Sequence, residues 1–198
     1  SSAAFPVCAA LIAEGSDVLV PNIGLNPTRA GLFFTLQEMG ADLTFENMRE
    51  EGGEPVADLR AKFSPDMKGI EVPAGRAASM IDEYPVLSVV AAFAQGRTHM
   101  PGVKELRVKE SDRVATMADG LQAVGIEAEA RPDGIRIVGG QIRGGEINSH
   151  GDHRIAMSFA VAAQRSIEPI VLRDCANVAT SFPGFVELAR EAGLNIEV

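Results

Sequence analysis

Residues 85–125 read PVLSVVAAFAQGRTHMPGVKELRVKESDRVATMADGLQAVG. The stretch opens on an apolar run, residues 85–94, in which alanines and β-branched residues leave almost no polar face. A helix that is apolar nearly all round belongs inside a domain. A short run at residues 97–100 reads as a strand, and Lys109, Glu110 and Ser111 make a polar turn. Val114, Met117, Ala118 and Leu121 then recur at spacings of three and four as far as Gly125. That period gives a helix one core-facing stripe, and the glycine stops it.

The same order occurs twice more. Residues 5–13 lead through 18–20 and the turn Asn26, Pro27, Thr28 into a helix with Leu32, Leu36 and Met39 on one face, ending at Gly40. Residues 154–164 lead through 170–172 and the turn 179–181 into one with Phe185, Leu188, Ala189 and Ala192, ending at Gly193. Thr28, Ser111 and Ser181 are the expected N-caps. Copies about 70 to 85 residues apart are too long for a solenoid repeat and suit small α/β units packed around an axis. The expected fold class is therefore α/β, one domain over residues 1–198 in three repeated units at roughly 1–78, 79–148 and 149–198. Ile135 and Ile137 alternate with Arg136 as in a half-buried strand, whereas the glycine-bearing residues 47–55 and 139–151 read as loops.

With 46% hydrophobic and 23% charged residues, the composition is that of an ordered soluble protein. No uncharged apolar run reaches the 18 or so residues of a membrane span, and the first residues carry no basic region of a secretory signal, so a cytoplasmic protein without a membrane partner is expected. A net charge of −9 with scattered Lys and Arg excludes a nucleic-acid-binding surface. Cys8 and Cys175 lack metal-ligand spacing and read as buried free thiols; no metal site is expected. Locally, Arg107, Lys109, Arg113 and Arg154 fall in two short stretches that can hold a phosphate or carboxylate.

Three polar clusters stand at helix starts. Residues 107–113, RVKESDR, run into the amphipathic helix, where free N–H groups and the positive helix end favour an anion. Residues 151–154, GDHR, put Asp152 at a cap position and His153 and Arg154 in the first turn, where a cation opposes the dipole unless an anion accompanies it. Residues 80–85 place Asp82 and Glu83 before the second Ala-rich helix, as capping carboxylates or as a general base beside a cationic pocket. Taken singly, each is more commonly an ordinary capped helix start. Together they let three units converge on one ligand.

The strings RVKESDR, GDHRIAMSF, SMIDEYP, NPTRAG and ATSFP resemble the C-terminal portion of the enolpyruvylshikimate phosphate synthase family, over nearly the whole chain. SMIDEYP and ATSFP are closer to its bacterial, glyphosate-insensitive class. The resemblance implies an inside-out barrel domain of three βαβαββ units, facing an N-terminal partner domain that lies outside residues 1–198. It implies transfer of the enolpyruvyl group of phosphoenolpyruvate to the 5-hydroxyl of shikimate 3-phosphate, with release of phosphate and without cofactor, and a chain inactive alone. Asp82 resembles the carboxylate at the shikimate hydroxyls, Lys109 the lysine at the reacting oxygen, and Glu110 the acid that moves a proton at the methylene carbon. Arg113 and Arg154 resemble the phosphoenolpyruvate clamp, and His153 a flanking site residue. Ser1 and Ser2 resemble the end of an Asp-Pro-Ser-Ser stretch entering this domain, at the substrate site. Thr180 stands where another class has a lysine, and Glu105 where some relatives have an amide. Two other readings share this architecture: a transferase of the same donor to UDP-N-acetylglucosamine, whose motifs differ, and a non-catalytic anion-binding domain.

Overall fold

A computed structural model describes residues 2–198. The three Ala-rich runs fold as α1 (Ala4–Ile12), α3 (Tyr84–Phe93) and α5 (His153–Ala162), and every residue of α3 except Phe93 is buried. Small side chains let each of these helices pack against the other two, which is what makes them the centre of the molecule. Their polar residues are satisfied internally: the Ser88 hydroxyl donates to the Tyr84 carbonyl at 2.8 Å and Ser158 to that of Arg154 at 2.6 Å. At the far end Arg165 donates to the Ile12 carbonyl at the close of α1, its guanidinium 5.4 and 5.9 Å from the ring centres of Phe63 and Phe93. A cation at helix C-termini complements their dipoles.

Sheets surround this centre. In the first, β1 (Asp17–Gly24) and β2 (Asp42–Glu51) flank β3 (Glu54–Lys62); in the second, β4 (Arg97–Met100) and β5 (Glu127–Arg131) flank β6 (Gly134–Val138), all antiparallel. The third pairs β7 (Gly145–Asn148) with β8 (Ile170–Arg173) in parallel. The amphipathic helices are α2 (Gly31–Glu38), α4 (Arg113–Ala123) and α7 (Phe185–Glu191), with a short α6 (Asn177–Ser181) between β8 and α7. Lys68 and Glu71 bridge in parallel to Gln95 and His99, as β7 pairs with β8. The bridged segment before α3 and strand β7 before α5 thus lie upstream of residues 79 and 149.

Several expectations are corrected. Residues 47–55 form no loop: β2 and β3 continue through them to a two-residue turn in which Gly52 (φ 60°) and Gly53 (φ 82°) supply the two positive φ angles a tight hairpin needs. Residues 139–151 contain β7, and its Gly145 reflects a close approach, since a Cβ there would lie 2.9 Å from the Ala123 carbonyl oxygen. None of the expected N-caps caps. The Thr28 hydroxyl donates to Asn26 Oδ1 at 2.7 Å, Asp112 rather than Ser111 accepts from Ala115 N, and Ser181 ends α6. The helix stops hold, with Gly40, Gly125 and Gly193 all at positive φ. The stripe of α7 is only half covered: Phe185 and Ala189 are buried but Leu188 and Ala192 are exposed. Cys8 is buried, which pushes its thiol pKa up, whereas Cys175 is partly exposed.

One device stiffens the first sheet. Bulges in β1 (Val20/Ile23) and β2 (Glu46/Arg49) lie on either side of β3, with Asn22 and Asn47 at positive φ. Asp58 in β3 accepts from Asn22 N at 2.9 Å, Asn47 Nδ2 at 2.9 Å and Arg49 Nη1 at 3.1 Å. The Asn22 amide, then the Asn47 amide and Arg49, hold its carboxyl down at about 2. A depressed folded-state pKa contributes stability that is complete above the ordinary aspartate value of about 4 and is lost as pH falls through the folded value. Asp58→Asn should therefore be less stable than the parent at pH 6, with a gap that closes between about pH 4 and pH 2 in urea titrations; a gap independent of pH would refute this.

Candidate active site

The first turns of α3, α4 and α5 meet at one end of the core. Arg113 opens α4, and its side chain is 1% exposed. It survives burial because carboxylates surround it: Nε donates to Asp152 Oδ2 at 2.8 Å, Nη2 to Asp152 Oδ1 at 3.3 Å and to Glu110, and Nη1 to Asp82 Oδ1 at 3.2 Å. Asp152, 0% exposed, accepts two further bonds, from Ser111 Oγ and from the Arg154 backbone N–H, both at 3.0 Å. The second of these caps α5 as expected. Burial pushes the Asp152 carboxyl up, but Arg113, Ser111 and the Arg154 amide together bring it below the usual aspartate value.

Arg154, in the first turn of α5, donates to the Asp82 backbone carbonyl at 3.0 Å and lies 3.6 Å from the Asp82 carboxylate and 3.8 Å from Glu83. These acids are the anionic company that an arginine at a helix N-terminus requires. Neither Asp82 nor Glu83 caps α3 through its side chain. Burial first, then the Arg154 charge, lower the His153 pKa and favour a neutral imidazole.

Five of the expected residues thus come together, namely Asp82, Glu110, Arg113, His153 and Arg154. Lys109 adjoins them in sequence, but its ammonium is held by Glu105 Oε1 at 2.7 Å. Ser2 lines, with Asp82, Glu83, Asn26 and Arg29, an adjoining cavity of about 670 Å³. Ser1 lies outside the described residues. Arg107 is a strut rather than an anion ligand: it bonds to Asp112 at 2.7 Å and to the Arg131 and Pro132 carbonyls of the β5–β6 turn. Thr180 is exposed on α6, which is tied to the 151–154 turn by Asn177 Nδ2 donating to the Gly151 carbonyl at 2.6 Å. Sequence reasoning missed Asp152 as the partner of Arg113, and Ser111 and Asn177 as supports. An acid at a cap position beside an arginine-bearing motif was the available signal.

Breaking a buried pair strands a charge and costs about 3–5 kcal/mol, whereas losing one neutral donor costs about 1 kcal/mol. Asp152→Asn should lower unfolding free energy by an amount in the first range and Ser111→Ala by one near the second, as read by chemical denaturation. Equal effects would mean that the ion pair is no more than a surface contact.

The chain matches the family model described as EPSP synthase (3-phosphoshikimate 1-carboxyvinyltransferase) over residues 1–188. It is 68% identical to the 3-phosphoshikimate 1-carboxyvinyltransferase of Jannaschia sp. (strain CCS1), covering 100% of this chain and 45% of that protein. To that of Ruegeria sp. (strain TM1040) it is 66% identical, covering 99% and 44%. The chain thus spans a little under half the length of these relatives. The EPSP synthase structure from Acinetobacter baumannii superposes with a TM-score of 0.95 at 51% identity, over 99% of this chain and 46% of that one. The enolpyruvyl transferase NikO from Streptomyces tendae shares the fold, with a TM-score of 0.77 at 19% identity over 99% of this chain and 43% of that one. With a family model matched along nearly its entire length, the chain belongs to the EPSP synthase (3-phosphoshikimate 1-carboxyvinyltransferase) family.

Proposed function

We propose that the chain forms one wall of an active site that transfers the enolpyruvyl group of phosphoenolpyruvate to the 5-hydroxyl of shikimate 3-phosphate, releasing phosphate, in the cytoplasm. A further, N-terminal domain supplies the opposite wall. The observation that carries this reading is the convergence of Asp82, Glu110, Arg113 and Arg154 in one ion network at three helix N-termini. Such a place favours bound anions, and acids within it can move protons.

In the reaction the acceptor hydroxyl adds to C2 of the enol while C3 gains a proton, giving a tetrahedral adduct. The adduct then loses phosphate as C3 gives up a proton and the double bond returns. Asp82, exposed enough to reach solvent at 37% of its side chain, takes the hydroxyl proton, and Lys109 is assigned to the reacting oxygen. Glu110, at 51%, stands on the donor side and serves C3. Arg113 and Arg154 offset the repulsion between two anionic substrates and orient the donor. His153 flanks the donor as a neutral group, and Ser2 borders the acceptor from the turn before α1.

Supplying the N-terminal part carried by the relatives should produce phosphate release that depends on both substrates. Glu110→Gln or Arg113→Met in that assembly should reduce the rate by about a hundredfold or more. Phosphoenolpyruvate binding without turnover in a correctly assembled protein would instead favour an anion-binding module. The strings SMIDEYP and ATSFP, with Thr180 where another class has a lysine, support a reading in which the chain is of the glyphosate-insensitive class. Turnover should then persist at glyphosate concentrations that stop an enzyme bearing AKTFP, and inhibition at those concentrations would remove it from that class.

A further inference from the structure

Arg113 poses a steric and electrostatic problem for any ligand. Its guanidinium has five N–H donors. Four contacts from Asp152, Asp82 and Glu110 already engage them, and the side chain is 1% exposed. An incoming anion cannot take two parallel N–H bonds there until a carboxylate leaves.

The three acids differ in how firmly they are held. Asp152 is 0% exposed and also binds Ser111 and the first amide of α5, so moving it would uncap a core helix. Asp82 is 37% exposed and bound through Arg154 as well, at its carboxylate and at its backbone carbonyl. Glu110 is 51% exposed, and Arg113 is the one hydrogen-bond and ion-pair partner of its side chain among the described residues. Glu110 lies in the bend before α4 with half of its side chain in water and no second such partner among the described residues to hold it, so its release is the cheapest way to uncover the guanidinium.

We infer that Glu110 is an internal competitor for the anion subsite at Arg113, and that the donor docks by displacing it. The displaced carboxylate stays within one side-chain length of the ligand that moved it. Donor docking and presentation of the acid that serves C3 are then a single event: without a donor, Glu110 is held by Arg113. The inference rests on the proposed reaction for the identity of the donor, and on the exposures and bonds above for the exchange itself.

Equilibrium titration of phosphoenolpyruvate by calorimetry, without acceptor and in the chain assembled with its N-terminal domain, tests the exchange. Glu110→Gln loses the competing charge, and Glu110→Asp keeps the charge but withdraws it by one methylene. Both should bind phosphoenolpyruvate more tightly than the parent, by up to about fivefold, the range expected for losing a partly exposed ionic contact. Unchanged or weaker binding in both variants overturns the inference. So does tightening in Glu110→Gln alone, which would report net charge rather than displacement. A parent that releases phosphate from both substrates while the variants bind as it does sinks the exchange but leaves the proposed function standing. A parent that neither binds phosphoenolpyruvate nor turns over sinks both.

Discussion

The arrangement depends on the buried pair between Arg113 and Asp152, 39 residues apart. Two ions removed from water each lose several kcal/mol of solvation, and their mutual attraction compensates only when the remaining hydrogen-bonding capacity is filled. Here it is filled. Asp152 accepts four bonds and Arg113 makes four contacts, so neither ion has a vacant side facing apolar atoms. The pair fixes the start of α4 to the start of α5, and Arg154 then carries the linkage to the segment before α3.

Such a pair needs a rigid base, and the helix triad provides it. Alanine, valine and serine at the contacts of α1, α3 and α5 allow close approach, so the ends of these helices are set by packing rather than by loops. Charged groups are confined to the two ends. At one end Arg165 answers the carbonyl of α1; at the other the acids and arginines gather at the helix starts, with Arg113 and Asp152 buried. The apolar centre therefore positions the polar end, and the sheets position the helices.

The repeat was legible because periodicity survives in one dimension: buried helices are apolar all round and surface helices carry a stripe. Glycine was misleading for the opposite reason. Gly52 and Gly53 are the tip of a hairpin whose adjoining residues are mostly polar and exposed, while Gly145 sits in a strand pressed against α4, and nothing local separates these uses. Caps failed where Ser and Asp were neighbours, since Asp112 took the cap and left Ser111 to bond across to Asp152. The residues of the ion network stood out by motif, but their partners did not. Whether Lys109 meets Glu105 or Glu110, and whether Arg113 is buried or open, is decided by approaches across as many as 72 residues.

Charge balance gives the site its character. Four carboxylates, those of Asp82, Glu83, Glu110 and Asp152, face the two guanidinium groups of Arg113 and Arg154. A bare count would make the region repel anions. Yet exposure rises from 0% at Asp152 and 11% at Glu83 to 37% at Asp82 and 51% at Glu110, so the outer charges are screened by water while the inner ones are not. The positive ends of α4 and α5 add to the arginines from within. The inner charges therefore form a fixed frame that a ligand meets as structure, whereas the outer acids are adjustable and can turn to solvent or to substrate at small cost. A site built the other way round, with its movable acids buried and its frame exposed, would have to lose a core ion pair each time a ligand entered.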